Sequence, residues 1–399
     1  MNKLGFIALL SISIPAGVGA CVTDGEDGMD GADGAAGAQG TPGTQGDPGP
    51  AGPKLPLPGV YTLANASGAN QIAAYLRASN GSLSRQGRVA TGGNGSGDGL
   101  GSQGALAFDA ASQRFFAVNP GDDSISMLAV GAGGTLSMVA KVPSGGKRPV
   151  SITAANGTVY VANQGALGMA TVNANITGFK IDGNNLTPIA GSTRPLSGTG
   201  DVRPTDIEFS PDGKFLVVSE RFAHKLDTFA VVNGVAQAGN FQTSAGMQPF
   251  AFDWSPEGAL VVAEVGAGAA NGSSVSSYSI SATGALTPIT SALATGQTAA
   301  CWIVVAGGHA YVANAGSGTL TGVDITESGA LSLHDQTGVI ATPGPGAVDL
   351  AVTPDRGYLY SLAGSPRALH VYEIGTDGDL AERAALTDIP TNATGLISR

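Results

Sequence analysis

The sequence predicts an all-β protein in which a collagen-like or disordered stalk precedes one seven-bladed β-propeller of four-stranded blades. Two observations predict this organisation. A strand-like phrase recurs seven times between residues 60 and 363, and most copies are followed by a second apolar run and a Gly-X-Leu turn. Ahead of these repeats, glycine occupies every third position from residue 25 to residue 54. Units of roughly 40 to 50 residues with several short strands each are typical of propeller blades.

The recurring phrase is a short apolar β-run that, in most copies, ends in Asn or Glu. Successive copies are 44 to 57 residues apart, which leaves room for four strands and their turns. A further apolar run and a tight turn, such as the Ser-Pro-Asp-Gly turn at 210–213, precede the later copies. The seven copies occupy residues 60–65, 115–119, 159–163, 215–220, 260–264, 311–314 and 359–363.

The two ends of the repeat array predict a closed ring. The first copy lacks a preceding strand, and one unassigned strand remains at residues 393–398. Pairing of this strand beside residues 60–65 would complete the first blade and remove two exposed sheet edges. The predicted propeller therefore spans residues 59–399.

The composition excludes one class of partner. Charged residues make up 12% of the 399 residues, and the net charge of −11 leaves no basic surface for a phosphate backbone. We therefore expect no nucleic-acid binding.

The N-terminus predicts export. Lys3 precedes an apolar run and small residues that end directly before Cys21, so residues 1–20 have the layout of a signal peptide. Residues 18–21, Val-Gly-Ala-Cys, resemble a bacterial lipobox, which predicts acylation of Cys21 and membrane attachment through lipid in the cell envelope, at the outer membrane if the organism has one. The alternative is a secreted protein with an unmodified Cys21. Cys301, in an apolar stretch, is predicted to be a small buried residue.

Residues 21–58 form the predicted stalk. Ten unbroken Gly-X-Y triplets run from residue 25 to residue 54. Glycine at every third position is what three close-packed polyproline-II chains require at their common axis. The stalk is therefore predicted either to form a homotrimer or to be a monomeric, solvated spacer.

The repeat phrases resemble those of the seven-bladed lactonase family, which includes bacterial 6-phosphogluconolactonase and fungal 3-carboxymuconate lactonising enzyme. The Pro-Asp-Gly turns, the strands ending in Asn or Glu and the Gly-X-Leu turns carry the resemblance, which covers the whole propeller. It implies a cofactor-independent lactonase or cycloisomerase that acts on a small anionic lactone at the mouth of the central channel. Arg, His and Glu side chains would hold the anion and move a proton.

Three catalytic candidates follow from this resemblance. Glu220 matches the family Glu at the end of its strand, whereas the Arg-His pair of some members falls here on Thr205 and Asp206. Arg203 and His224 are the residues that could substitute for that pair. An alternative interpretation is that Arg203 and Glu220 form a structural ion pair at the rim.

Ligand-binding candidates occupy equivalent positions in other blades. Glu264, Asn163 and Asn314 each end the strand of their own repeat that corresponds to the strand ending in Glu220. Arg148 precedes an inner strand. These residues could complete a ring around an anion. The alternative is that the asparagines cap loops through side-chain hydrogen bonds and that Glu264 is inherited with the repeat.

No cofactor and no metal site is predicted, because the four histidines are scattered and His309 and His334 have the sequence context of turn or solvent-facing residues. The competing hypothesis to catalysis is a surface-displayed binding or adhesion module. In that hypothesis, loops such as 164–173 and 266–272 contact a partner or glycan.

Overall fold

Seven β-sheets form the described part of the chain, which in this computed structural model comprises residues 59–131, 135–166, 173–364 and 367–399. The predicted signal peptide, Cys21 and the stalk lie outside these residues. The predicted fold class is confirmed: the described residues form an all-β, seven-bladed propeller. None of them belongs to a helix long and apolar enough to cross a bilayer.

Each blade is an antiparallel sheet whose inner strand lines the channel, and in blades 2 to 7 this inner strand is the first one along the chain. Blades 1 to 3 contain β1 (Gly59–Leu63), β2 (Gly68–Arg77) and β3 (Leu83–Gly95); β4 (Leu106–Asp109), β5 (Arg114–Asn119), β6 (Ser124–Val130) and β7 (Leu136–Pro143); and β8 (Pro149–Ala155), β9 (Thr158–Asn163), β10 (Asn175–Asp182), β11 (Asn185–Pro188) and β12 (Arg194–Pro195). Blades 4 and 5 contain β13 (Pro204–Phe209), β14 (Phe215–Glu220), β15 (Lys225–Val232) and β16 (Val235–Thr243); and β17 (Pro249–Trp254), β18 (Leu260–Glu264), β19 (Ser274–Ile280) and β20 (Leu286–Ala294). Blades 6 and 7 contain β21 (Ala300–Ala306), β22 (His309–Asn314), β23 (Thr319–Ile325), β24 (Leu331–Leu333) and β25 (Val339–Ala341); and β26 (Val348–Val352), β27 (Tyr358–Ala363), β28 (Ala368–Ile374) and β29 (Leu380–Leu386).

The ring closes through β30 (Thr394–Ser398), which pairs with β1 and supplies the missing inner strand of blade 1. Val60 lies opposite Ser398, and the backbone groups of Gly59 and Arg399 exchange two hydrogen bonds of 3.0 Å. The closure predicted from the unassigned strand is confirmed. Blades 3 and 6 each add a short fifth strand, β12 and β25, because both of these strands pair with the third strand of their own blade.

Blade-to-blade packing is driven by the second strand of each blade. All six residues of β14 are buried, whereas the outer strand β16 is mostly exposed. Several second strands also carry a buried tyrosine whose hydroxyl reaches the outer turn of the next blade. The hydroxyls of Tyr160, Tyr311 and Tyr360 donate to the carbonyls of Gly234, Gly378 and Gly81, respectively. Each bond satisfies a polar group that burial would otherwise penalise.

Cys301 is completely buried in the apolar core beside Phe250 and Trp302, so its predicted burial is confirmed, but it is disulfide-bonded and is more than a small apolar residue.

Candidate functional site

The start of the inner strands positions the side chains at one mouth of the channel. Arg148, Arg203 and Gln248 each precede the proline that begins β8, β13 or β17, and each has a positive φ of 50°, 52° or 60°. The carbonyl of Arg203 accepts a hydrogen bond of 3.0 Å from the backbone N–H of Arg221, one residue beyond β14. The same bond recurs in the neighbouring blades at Arg148 and Gln248. A backbone conformation that is uncommon for non-glycine residues is therefore repeated around the mouth.

Two arginines flank one aromatic ring at this mouth. The guanidinium carbon of Arg203 lies 4.7 Å from the ring centroid of Phe222, and that of Arg221 lies 5.3 Å from the same centroid. Phe222 is 42% exposed, whereas both arginines are largely buried. The two guanidiniums lie beside one apolar ring, an arrangement that suits a carboxylate or phosphate.

Arg203 also forms an ion pair with Asp201. Its Nη2 and Nε atoms lie 2.7 Å and 3.2 Å from Asp201 Oδ2, so the contact is bidentate from the arginine side. The alternative of an Arg203–Glu220 ion pair is wrong, because Arg203 pairs with Asp201 and Glu220 has other partners.

His224 connects to the arginines through Gln248. The backbone N–H of Gln248 donates to His224 Nδ1 over 3.1 Å, and Arg221 Nε donates to Gln248 Oε1 over 3.3 Å. Because Nδ1 accepts a hydrogen bond, the neutral imidazole carries its proton on Nε2. Arg203 and His224, both predicted site residues, thus belong to one contiguous cluster with Phe222, Arg221 and Gln248, which we call the mouth cluster.

Glu220 turns away from this cluster and is completely buried. Its carboxylate accepts hydrogen bonds from the backbone N–H of Ser197, at 2.7 Å, and from the Ser197 hydroxyl. Burial and the neighbouring Glu220 carboxylate raise the pKa of Asp227 to about 10, so Asp227 is a carboxylic acid at neutral pH. Glu220 anchors the loop that leads from Ser197 to Asp201 and Arg203.

Glu264 has an equivalent anchoring position one blade further on. It accepts hydrogen bonds from the Ser244 hydroxyl, the Gly246 backbone N–H and the Ser274 hydroxyl at 3.0, 2.8 and 2.5 Å. A Cβ atom at Gly246 would lie 1.8 Å from Glu264 Oε2, so only glycine fits there. Glu264 is completely buried and its oxygens are occupied by the protein.

The remaining candidates are spread over other blades. Asn163 donates to the carbonyl of Ser144 at 3.2 Å, and Asn314 donates to the hydroxyl of Thr321 at 2.8 Å, both as buried loop and strand caps. Arg148 lies 3.5 Å from Asp98 and occupies the position equivalent to Arg203. Of the predicted ligand-binding residues, Arg148 is the one that lies at the same mouth of the channel as the mouth cluster, in the neighbouring blade.

The sequence-based prediction missed Arg221 and Phe222. Both directly follow Glu220, and an exposed aromatic residue next to an arginine at a strand end is the signal that could have identified them.

Deeper in the channel lies a cavity of about 520 Å³ lined by the inner strands. Its wall carries Glu208 and Asp253, and Asp206 lies buried on the same strand as Glu208. Burial raises the pKa of Asp206 to about 8 and that of Asp253 to about 6. Burial and these two neighbours also raise the pKa of Glu208 well above its ordinary value. At neutral pH, Asp206 is therefore mainly protonated, whereas Asp253 is mainly ionised.

Solved structures with the same fold include one gluconolactonase and candidate 6-phosphogluconolactonases. The periplasmic gluconolactonase of Pseudomonas aeruginosa aligns over 84% of this chain and 98% of its own length, with 16% identity and a TM-score of 0.67. A candidate 6-phosphogluconolactonase from Bacteroides uniformis aligns over 84% and 99%, with 18% identity and a TM-score of 0.63. A protein from Lactobacillus plantarum aligns over 86% and 100%, with 20% identity and a TM-score of 0.69. At these identities the likeness establishes the fold alone.

The comparison at the sequence level is more specific. No curated protein matches the chain significantly. The family model described as lactonase, 7-bladed beta-propeller, matches residues 60–182 and 169–266, which together span more than half of the chain and include the mouth cluster. This chain therefore belongs to the seven-bladed β-propeller lactonase family.

Proposed function

We propose that the protein is a cofactor-independent lactonase or cycloisomerase that hydrolyses or forms a small anionic lactone at the mouth cluster. The observation that carries this proposal is the pair of guanidiniums, Arg203 and Arg221, around the exposed ring of Phe222. They would bind the carboxylate or phosphate of the substrate, and the ring would pack against its carbon skeleton.

The hydrolysis chemistry needs one proton acceptor and one donor to the carbonyl oxygen. Asp201, which is bound to Arg203 and partly exposed, would take a proton from the attacking water as its oxygen bonds to the lactone carbonyl carbon. The Nε2–H of His224 would donate a hydrogen bond to the developing oxyanion. Asp201 would then return its proton to the ring oxygen as the carbon–oxygen bond breaks. Glu220 would act as a positioning residue through its bonds to Ser197.

The test is a panel of lactones that differ in charge. We expect the full-length protein to hydrolyse carboxylated or phosphorylated lactones with a lower KM than neutral ones of similar ring size. Arg203→Met and Arg221→Met should each raise the KM for anionic lactones by more than about tenfold, because each removes a charge-assisted bond of about 1.5–3 kcal/mol. The KM for neutral lactones should change little.

Arg383→Met provides the matched control, because Arg383 forms an exposed ion pair with Glu373 on an outer strand, away from the mouth. A KM that rises equally for neutral and anionic lactones in the Arg221 variant would contradict anion binding by this residue. Absence of turnover across the whole panel would contradict the enzymatic function.

A binding module without catalysis is the second candidate function. The burial of Glu220 and Glu264 favours it, because both carboxylates were predicted to contact the ligand. Their oxygens instead accept hydrogen bonds from Ser197, Ser244 and Ser274. Calorimetry with non-hydrolysed anionic lactones separates the two functions. Binding that is lost in Arg221→Met without turnover of any lactone would establish the binding module.

We further propose that the propeller is displayed on a lipid anchor at Cys21 and raised by its stalk. The signal-peptide layout and the Gly-X-Y triplets support this proposal. Mass spectrometry of the mature protein should find an acylated Cys21 at the N-terminus, and Cys21→Ser should release the protein from membranes. The sequence has two cysteines and Cys301 is disulfide-bonded, so acylation requires that Cys21 is not the lasting disulfide partner in the mature protein. Peptide mapping under non-reducing conditions decides between the two, and a Cys21–Cys301 disulfide would contradict acylation. Sedimentation of the full-length protein distinguishes a homotrimer from a monomer.

A further inference from the structure

Two histidines meet around one carboxylate at the outer part of blade 6. His309, at the start of β22, lies opposite Asp324 in the pairing of β22 with β23, and His334 follows β24. The Nδ1 atoms of His309 and His334 lie 2.9 Å and 2.7 Å from the same atom, Asp324 Oδ1. The two imidazole rings are nearly perpendicular, with centroids 5.5 Å apart. One carboxylate oxygen thus faces two ring nitrogens.

Blade 7 contributes a second carboxylate. Asp379, in the turn between β28 and β29, places its Oδ1 atom 3.2 Å from His334 Nε2. The turn packs closely, since a Cβ atom at Gly378 would lie 2.5 Å from His309 Nδ1. Gly378 also has a φ of +95°, which side chains rarely adopt. Glycine at position 378 therefore leaves space beside the imidazole of His309 that the side chain of any other residue would fill.

We propose that His309, His334 and Asp324 bind one divalent transition-metal ion of the zinc type. The three ligand atoms lie within 4.8 Å of one another, and imidazole nitrogens with a carboxylate oxygen are a preferred donor set for zinc. Bonds of about 2.0–2.2 Å to the ion require the ligand atoms to be roughly 3.3 Å apart in a tetrahedral site. The nitrogen–oxygen distances would have to widen by only a few tenths of an ångström.

Asp379 completes the arrangement as an outer partner. A metal-bound histidine commonly donates its other ring N–H to a carboxylate, which fixes the ring and increases the basicity of the ligand. His334 has this geometry, with Nδ1 toward Asp324 and Nε2 toward Asp379. With three protein ligands, the fourth position of the ion is open to water or an external ligand.

The cluster is partly exposed, which gives an ion access from solvent. The side chains of His309, His334 and Asp324 are 25%, 14% and 38% exposed. Since Asp379 belongs to blade 7 and the three ligands to blade 6, the ion would hold these two blades together at their outer edge.

The test is metal binding by the full-length protein, produced without a histidine tag and stripped with a chelator. Zinc chloride should bind with a stoichiometry of one and raise the melting temperature, because a ligand that binds only the folded state stabilises it. Cobalt(II) should give the visible absorption of a tetrahedral nitrogen and oxygen site. Calcium should have no effect here, since calcium prefers six to eight oxygen ligands.

Variants decide whether this cluster holds the ion. His309→Gln and His334→Gln should each weaken zinc binding by more than about 100-fold, whereas Asp379→Asn should weaken it by about 10–100-fold, the range seen for outer partners. His370→Gln is the matched control, because His370 forms a single 2.9 Å pair with Glu382 and has no second imidazole. Melting temperatures in chelator show whether each variant is folded.

Three results would overturn the proposal. They are no zinc binding in the micromolar range, unchanged zinc affinity in both folded histidine variants, or an equal loss in His370→Gln. Any of these would leave the cluster as a set of hydrogen bonds between blades 6 and 7.

Discussion

The two ends of strand β13 show how differently the mouth and the interior of the channel handle charge. At the mouth, Arg203 is paired with Asp201 and stacked on an exposed phenylalanine. Along the same strand, Asp206 and Glu208 face inward, and burial raises the pKa of both. The guanidinium charge at the mouth is permanent, whereas burial in the interior favours the neutral form of Asp206 and Glu208.

The difference indicates separate roles for the two regions. Asp206 Oδ1 accepts from the Ser151 hydroxyl and Oδ2 from the Phe252 backbone N–H, both at 3.2 Å, which links blades 3, 4 and 5. Asp253 similarly accepts from the Val305 N–H of blade 6 at 2.7 Å. Inner strands of neighbouring blades do not pair with one another, so these carboxyl groups connect them. The interior carboxyls thus connect neighbouring blades, whereas the arginines lie at the mouth beside the exposed ring of Phe222.

The largest expected effect is at Asp206. Asp206→Ala should lower the free energy of unfolding by about 3 kcal/mol, because the buried Phe252 N–H and the Ser151 O–H lose the acceptor to which they donate. Asp206→Asn keeps the shape and one acceptor, so it should cost less than about 1 kcal/mol. Urea unfolding measures both. Equal losses in the two variants would mean that the charge of Asp206 matters more than its hydrogen bonds.

A second, smaller effect concerns pH. The pKa of Asp206 is about 8 in the folded protein, against about 3.9 for an unfolded aspartate. Between about pH 4 and pH 8, Asp206 is protonated in the folded state and ionised in the unfolded state, so the free energy of unfolding falls as pH rises. The contribution of Asp206 to stability is therefore complete below about pH 4 and is lost as pH rises through about 8. Unfolding of the wild type and of Asp206→Asn at about pH 5 and pH 8 should show a smaller decrease in the variant. An identical decrease in both proteins would place the titration elsewhere.

The smallest effect is expected at the mouth. Arg148→Met should change the free energy of unfolding by less than about 1 kcal/mol, because its 3.5 Å pair with Asp98 is partly exposed. The Arg148 Nε atom is also buried without a hydrogen-bond partner, so removing it relieves an unsatisfied donor. Chemical denaturation at low and high salt measures the change. A loss as large as that of Asp206→Ala would remove the distinction between mouth and interior.

The fold could be predicted from the sequence because each blade repeats the same local pattern. Seven copies of one strand, each with its turns, give seven independent indications of the same blade. Because no strand precedes residue 60 in the first copy, the sequence also predicted the closure by β30. A propeller is built mostly from contacts within a blade and with its neighbours, so a periodic sequence carries most of the information.

The site was less predictable because its contacts join segments that no repeat relates. Arg203 and His224, two residues singled out from the sequence, lie in one cluster, but the partner of Glu220 is Ser197, in an irregular loop after blade 3. Likewise, His309 and His334 were expected to be separate turn or surface residues. The pairing of His309 with Asp324 and the path of the chain after β24 bring them together.

The closure of blade 1 by β30 has a consequence for the order of synthesis. Strands β1 to β3 are made first, yet β1 presents an unpaired edge until residues 394–398 arrive, more than 300 positions later. Loop closure over such a distance is slow compared with hairpin formation. While the rest of the chain is made, that edge can pair with other extended chains. The first blade is therefore the part of this protein that most needs protection before the ring is complete.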